Sequence, residues 1–293
     1  MHRRSSILPI GTKQTNDMKL YHYTSIDSLA MIMSSRSIKF NRLDKVDDLE
    51  ERTDSQNVSL WQYIFVSCWT ENAEESIPLW RMYSGNAHGV RIGLDADMFE
   101  DNVVGGSNVP PEIPHEGFLV GKIPAHDLFR KDYFVMSMAT RVDPTKGDTL
   151  FYCHVNYVDD VYEKIRDACQ LTMTDATHAS YQVSYGEIGK YKNKRWAFQE
   201  ESRFRLLIIP FNPILCNSDE VSTIAFNSIH NSVPVPISEY YLKLKKEALN
   251  NMEITLHPNV TASDRVIVDA LCAKYAQNAT IKPSELTDRV VMK

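Results

Sequence analysis

Apolar and polar positions alternate, or recur at helical spacing, along most of the chain from residue 18 onward. Residues 19–24 alternate and are rich in tyrosine, which predicts a half-buried strand. Ser25 then precedes a run of apolar residues at helical spacing through Met33, so we expect it to cap a helix. Residues 37–43 alternate again. This part of the chain therefore predicts a strand, a helix and a second strand in succession.

The rest of the chain continues this mixture. Residues 61–70 and 204–211 are the most apolar β-prone stretches and predict buried central strands. Further strands are predicted at residues 90–94, 118–123, 151–158, 223–229, 238–244, 253–256 and 280–282, and helices at residues 71–84, 159–171 and 264–275. Residues 104–117 are rich in glycine and proline and predict a long loop. We therefore expect one α+β domain over residues 18–293, preceded by a disordered leader at residues 1–17.

Composition narrows the classes of function. The chain of 293 residues is 43% hydrophobic, 24% charged and has a formal net charge of −6, so it has no global basic field for nucleic acid. Five cysteines without CxxC spacing fit a reducing cytoplasm, and no apolar run is long enough for a membrane helix. HExxH, GxGxxG, Walker and GxSxG motifs are absent, which argues against a zinc site and against hydrolases of the elbow type. Residues 44–54 are acidic and predict a solvated surface segment.

Two stretches are candidates for chemistry. His22 lies where the first strand meets its helix, and from local pattern it is either a packed core residue or a ligand. Glu201, Arg203 and Arg205 would share one face of a strand, either as a structural ion pair or as a carboxylate held charged for catalysis. A basic cluster at residues 190–195 precedes Trp196, and it is either a solvated helix end or a grip for a single-stranded backbone.

Residues 21–25, reading Tyr-His-Tyr-Thr-Ser, with the following helix and the strand that carries Phe40, resemble the first motif of the ADP-ribosyltransferase superfamily. The wider pattern is similar to an uncharacterised bacterial domain family. The segments similar to that family are residues 21–25, 65–70, 79–83 and 89–92 and the Gln-x-Glu-x-Arg-Phe element at residues 199–204. The resemblance implies a split β-sandwich with surrounding helices and an NAD cleft.

The resemblance also implies roles for particular residues. His22 would hold a ribose hydroxyl of NAD, Ser67 or Tyr83 would face the nicotinamide, and Glu201 would serve the reacting ribose. Ser202 stands where the superfamily has a bulky aromatic residue, which leaves open whether Glu200 or Glu201 faces the cleft. The further NAD contacts that we expect are Tyr23, Thr24 and the arginines Arg42, Arg91 and Arg203. The expected acceptor contacts are Lys192, Lys194, Arg195 and Trp196.

The implied function is NAD-dependent ADP-ribosyl transfer, without a metal, from NAD to a protein or a single-stranded nucleic acid with release of nicotinamide. The protein would be a cytoplasmic bacterial toxin or phage-defence effector with a possible antitoxin or other neutralising partner and no membrane contact. Two alternatives stay open. One is an NAD glycohydrolase that uses the same cleft, and the other is a non-catalytic sensor or partner-binding module.

Overall fold

The structure is a computed structural model that describes residues 18–54, 58–85, 88–113, 116–136, 151–173, 179–215 and 218–290. The predicted leader at residues 1–17 lies outside the described residues. The strands are β1 (Lys19–Ser25), β2 (Ser37–Arg42), β3 (Ile64–Thr70), β4 (Gly89–Asp95), β5 (Asn102–Gly105), β6 (Phe118–Gly121), β7 (Phe134–Met136), β8 (Tyr152–His154), β9 (Asn156–Val158), β10 (Cys169–Met173), β11 (Ala179–Val183), β12 (Tyr191–Asn193), β13 (Glu201–Ile209), β14 (Glu239–Lys243), β15 (Glu253–Leu256) and β16 (Thr280–Lys282). The α-helices are α1 (Ile26–Ser35), α2 (Ile77–Tyr83), α3 (Ala125–Leu128), α4 (Val161–Asp167), α5 (Ser218–His230), α6 (Lys246–Asn250) and α7 (Ala262–Tyr275).

The predicted α+β class is confirmed: a large mixed sheet is accompanied by several helices. Its strand order is β14-β2-β3-β1-β4-β15-β16, and β13 pairs with β3 and also with β7 and β8. Strand β13 is buried along its whole length. Its apolar face packs into an aromatic cluster, in which the Phe204 ring lies 5.0 Å from the Phe99 ring and 5.2 Å from the Phe151 ring. The opposite face carries Glu201, Arg203 and Arg205, as the alternation of a strand requires.

The sheet opens along one edge of β3. The other edge of β3 pairs continuously with β13, from Glu201 opposite Thr70 to Leu207 opposite Ile64. On the open edge, β2 pairs only with Phe65 and Val66, and β1 meets the strand only at Thr70. Among the described residues, no ladder pair joins residues 67–69 to either of these strands. Helix α1 connects β1 to β2, so the gap between the two strands leaves a cleft beside β3.

Four predicted elements differ from the observed ones. The predicted helix at residues 159–171 is shorter, since α4 ends at Asp167 and the chain enters strand β10 at Cys169. Residues 223–229 belong to α5 and are not a strand, because Val221, Ala225 and Ile229 recur at helical spacing and turn towards the core. The predicted helix at residues 71–84 is shorter, since α2 begins after Ser76 with a proline in its first turn. The predicted loop at residues 104–117 overlaps a hairpin in which β5 pairs with β6. Within the described ranges, no helix has the length and apolar character needed to cross a bilayer.

Candidate active site

A cleft of about 950 Å³ lies at the opening beside β3. Side chains and backbone from β1, α1, β2, β3, α2, β13 and β14 line it, together with Lys192 of β12. Seven of the residues that the sequence singled out meet there: His22, Tyr23, Thr24, Ser67, Tyr83, Lys192 and Glu201. The fold therefore brings the first strand and the late carboxylate into one cavity.

His22 is held in one orientation and in the neutral form. Its Nδ1 lies 2.8 Å from the carbonyl oxygen of Cys68, on the stretch of β3 that, within the described ranges, has no ladder partner on this edge. Because a carbonyl oxygen only accepts, Nδ1 carries the hydrogen and donates it. Burial lowers the pKa of His22, and the hydrogen bond to Cys68 offsets only part of that effect. The neutral ring then has an unprotonated Nε2 that can accept a hydrogen bond from a ligand.

Glu201 is a buried and ionised carboxylate. Lys192 donates from Nζ to Oε2 over 2.7 Å, and Arg203 donates from Nε to Oε1 over 2.5 Å. Burial by itself would raise the pKa of Glu201, but the charges of Arg203 and Lys192, with hydrogen bonds from Arg203 and the Cys68 thiol, outweigh it and lower the pKa to about 2. Glu200 precedes it in the left-handed conformation with φ 43°, is exposed, and does not line the cleft. The carboxylate that faces the cleft is therefore Glu201.

Arg203 lies beneath the cleft and supports Glu201. It is fully buried, its Nη1 and Nη2 both contact the carboxylate of Glu51, and Nη1 also donates to the carbonyl oxygen of Gly189 over 2.9 Å. Lys192 lies 3.9 Å from the same Glu51 carboxylate. Two buried cations thus face two buried carboxyl groups. Burial raises the pKa of Glu51, and the charges of Arg203 and Lys192 offset only part of that effect. Arg203 does not line the cleft, and its nitrogens are engaged by protein groups, so we no longer expect it to bind a phosphate.

The other two arginines expected to bind NAD are also outside the cleft. Arg42 makes a bidentate ion pair with Asp44: Nε donates to Oδ1 over 2.7 Å and Nη2 donates to Oδ2 over 3.0 Å. Arg91 is buried over the ring of Tyr21, 4.5 Å from its centroid, and donates to the carbonyl oxygen of Ala73 over 2.8 Å. The cations that do line the cleft are lysines: Lys39, Lys45, Lys192 and Lys243.

The two residues expected to face the nicotinamide differ in their surroundings. Ser67 is buried, and its Oγ accepts a hydrogen bond from Trp69 Nε1 over 2.9 Å. Tyr83 is more open, and its hydroxyl donates to Asp47 over 2.5 Å and accepts from Gln199 Nε2 over 2.9 Å. Burial and the neighbouring Asp47 raise the pKa of Tyr83, so it stays protonated. Ser67 is buried and hydrogen-bonded within β3, whereas Tyr83 is partly exposed at the cleft. Tyr83 is therefore the better candidate to contact a ligand.

Tyr23 and Thr24 are both buried at the wall of the cleft. The hydroxyl of Tyr23 accepts a hydrogen bond from the backbone N–H of Ser76 over 2.9 Å, and its ring meets that of Trp80 edge-on at 4.9 Å. Burial raises the pKa of Tyr23. These contacts tie α2 to β1, so Tyr23 shapes the wall of the cleft and places Tyr83 through the helix.

The expected acceptor contacts are divided between the interior and the surface. Lys192 is buried against Glu201, whereas Lys194 and Arg195 are exposed and pair with Asp159 and Glu50 at 2.6 and 3.3 Å. Trp196 is half-buried, with its ring 5.3 Å from Lys192 Nζ and 6.1 Å from the Phe198 ring. The charge of this basic segment is therefore largely compensated within the protein.

Gln199 and Glu51 were missed from sequence, as were the cleft lysines Lys39, Lys45 and Lys243. Gln199 accepts from Lys192 Nζ over 2.7 Å while donating to Tyr83, so it links the carboxylate network to the open tyrosine. The signal was its place two residues before Glu201 in the Gln-x-Glu element. Glu51 lies in the acidic segment that was expected to be solvated, and nothing in the local pattern separated it from its neighbours.

Among the described residues, no group of three or more histidine, cysteine, aspartate or glutamate side chains is arranged to hold a metal ion. The side chains described above offer an ionised carboxylate, a neutral imidazole, a tyrosine and several lysines to a ligand in the cleft. No protein-family model, curated protein or solved structure matches this chain.

Proposed function

We propose that the protein is an NAD-dependent ADP-ribosyltransferase with the split β-sandwich of that superfamily. The observation that carries this proposal is that His22 and Glu201, distant in sequence, line one cleft at the opening of the sheet, the first as a neutral acceptor and the second as an ionised carboxylate. The cleft volume of about 950 Å³ lies in the range of small-molecule sites and suits a dinucleotide.

Glu201 supplies charge to the reaction. When the bond between nicotinamide and the ribose breaks, positive charge develops on the ribose, and a carboxylate already in place stabilises it without reorganisation. A carboxyl group with a pKa of about 2 is a weak base. Glu201 therefore acts through its negative charge and by accepting a hydrogen bond from a ribose hydroxyl. The acceptor then forms its bond to the anomeric carbon, nicotinamide leaves with the bonding electron pair, and the proton of the acceptor passes to water.

The remaining residues bind and orient NAD. The Nε2 atom of His22 accepts a hydrogen bond from a ribose hydroxyl, and the ring of Tyr83 packs against the nicotinamide. Lysines of the cleft replace the arginines expected from sequence as partners of the phosphates. Lys243 extends from β14 at the end of α1, where its Nζ donates to the carbonyl oxygen of Ser35 over 2.7 Å.

The acceptor is proposed to be a protein. A nucleic-acid backbone is bound by lysines and arginines that neutralise its phosphates and displace its counterions, and Lys194 and Arg195 are each already paired with a carboxylate. Modification of a host protein agrees with a role as a toxin or defence effector held in check by a neutralising partner.

The test is nicotinamide release from NAD by the purified protein, with cell lysate as the source of acceptor. We expect Glu201→Gln to lower the rate about 100- to 1000-fold, because it removes the charge at the reacting ribose. Glu200→Gln is the matched control, since it makes the same change on the neighbouring exposed residue, and we expect it to keep the wild-type rate. Absence of both NAD binding and turnover in the wild type would reject the proposal. Free ADP-ribose without a labelled macromolecule would instead identify a glycohydrolase.

A further inference from the structure

Arg203 contacts Glu201 through one nitrogen only. Arginine and carboxylate groups pair best through two parallel hydrogen bonds that occupy both carboxylate oxygens. Here the two terminal nitrogens of Arg203 face Glu51, and Nη1 also donates to Gly189, so only Nε is left for Glu201 Oε1. The geometry that keeps the guanidinium turned away from Glu201 is therefore provided by Glu51.

This orientation matters for the acceptor capacity of Glu201. A carboxylate has about four acceptor positions on its two oxygens. Lys192 occupies one on Oε2, Arg203 Nε occupies one on Oε1, and the Cys68 thiol also hydrogen-bonds the carboxylate, which leaves about one position for a ligand hydroxyl. If the guanidinium turned its fork to Glu201, both oxygens would be engaged by Arg203 while Lys192 kept its own contact, and little capacity would remain.

Backbone contacts fix the position of Glu51, so its carboxylate can hold the two terminal nitrogens of Arg203. It lies in the short 3₁₀ turn Leu49–Arg52, which begins at Asp48, and the Asp48 carboxylate accepts the backbone N–H of Glu50 over 3.0 Å. The other oxygen of Asp48 accepts the backbone N–H of Asn193, the residue after Lys192, over 3.4 Å. The turn is thus tied to the strand that carries Lys192. The side chain of Glu51 is only 1% exposed, so solvent does not weaken its contact with Arg203.

We propose that Glu51 is a positioning residue that holds the fork of Arg203 and so keeps Glu201 open to a ribose hydroxyl. This inference rests on the proposed function, because it assigns Glu51 a part in the same reaction. Glu51 does not line the cleft and acts only through Arg203.

The experiment compares Glu51→Gln with Glu50→Gln, its half-buried neighbour, for the rate of nicotinamide release at saturating NAD and for the Kd of NAD. We expect Glu51→Gln to lower kcat about 100-fold, as a small misplacement of a catalytic group does, with the Kd changed less than about threefold. Glu50→Gln should change neither. In the Glu201→Gln background, adding Glu51→Gln should cause no further loss, since the group it positions has already been removed.

Retention of the wild-type kcat by a folded Glu51→Gln variant would overturn the inference, as would equal losses in the two backgrounds. If Glu51→Gln does not fold, Glu51→Asp keeps the buried charge but shortens the side chain, and we expect it to fold with kcat lowered about tenfold or more. Full activity of Glu51→Asp would also overturn the inference.

Inactive wild-type protein would reject the proposed function itself. In that case, solvent exchange of the Arg203 Nε–H, measured by NMR without NAD, still tests the contact: we expect exchange about tenfold faster in Glu51→Asp, and unchanged exchange would contradict it.

Discussion

Lys192 Nζ lies 2.7 Å from Glu201 Oε2, and neither side chain is more than 6% exposed. An ion pair in this position is shielded from water and salt, so the charge of Lys192 strongly favours the ionised form of Glu201. Lys192 was expected to contact the acceptor from the surface. Its observed position makes it instead the cation that, with Arg203, keeps Glu201 charged.

Lys192→Met should raise the pKa of Glu201. In the wild type that pKa is about 2, so Glu201 remains ionised throughout the usual range of assay pH. Removal of one of its two cations favours the protonated form, and the acidic limb of the pH–rate profile for nicotinamide release should move to higher pH. The control is Lys194→Met, an exposed lysine two residues along, which should leave the profile unchanged. An unshifted acidic limb in Lys192→Met would contradict the electrostatic role.

His22→Asn should weaken NAD binding about tenfold or more while keeping the fold. The shorter amide can still donate to the Cys68 carbonyl oxygen, but it has no acceptor at the place of Nε2. Isothermal titration with NAD measures the first effect and thermal unfolding the second. His22→Ala loses both hydrogen bonds and should in addition lower the melting temperature. Equal NAD affinity in wild type and His22→Asn would remove His22 from the binding site.

NAD affinity should also depend on the protonation of His22. Burial lowers its pKa below the ordinary value of 6.5, so the ring stays neutral at pH 6.5 and becomes charged only at lower pH. Protonation converts Nε2 from an acceptor to a donor, so the Kd of NAD should rise as pH falls through the lowered pKa. The same sign applies to stability: the unfolded chain binds the proton more tightly, so stability falls as the pH falls from about 6.5 to the lowered pKa. The His22→Asn variant should lack this pH dependence of binding.

Arg203→Met should destabilise the protein by about 3–5 kcal/mol, because it leaves Glu51 and Glu201 buried with only Lys192 to balance them. The free energy of unfolding in urea measures this loss. Arg195→Met removes an exposed pair with Glu50 and should cost about 0–1 kcal/mol. Adding Glu51→Gln to Arg203→Met should recover part of the stability, since it removes one unbalanced charge. Equal effects of the two arginine substitutions would contradict the buried network.

Lys243→Ala should weaken NAD binding several-fold, whereas Arg42→Ala should leave it unchanged. Lys243 lines the cleft, and Arg42 is engaged with Asp44 outside it. A charged hydrogen bond to phosphate at an exposed position is expected to contribute a modest share of affinity. Titration with NAD and with ADP-ribose should show the same loss, because both ligands carry the phosphates. The reverse order of the two variants would restore Arg42 as the phosphate partner.

Much of the local structure could be read from the pattern of side chains. The strand, helix and strand of β1, α1 and β2, the cap at Ser25, and the shared face of Glu201, Arg203 and Arg205 follow from periods of 2 and 3.6 residues. The α+β class follows from the same periods. Residues 223–229 show the limit, because β-branched residues suggested a strand where helical spacing decided the outcome.

The tertiary structure alone decided what these side chains do. Alternation on β13 placed Glu201 and Arg203 on one face, but it could not show that Arg203 turns to Glu51, a residue 152 positions away in an acidic segment. The orientation of His22 depends on the separation of β1 and β2, which leaves the Cys68 carbonyl oxygen without a strand partner on that edge among the described residues. Side-chain periodicity is a property of neighbouring residues, whereas burial, charge balance and strand pairing depend on residues that are distant in sequence.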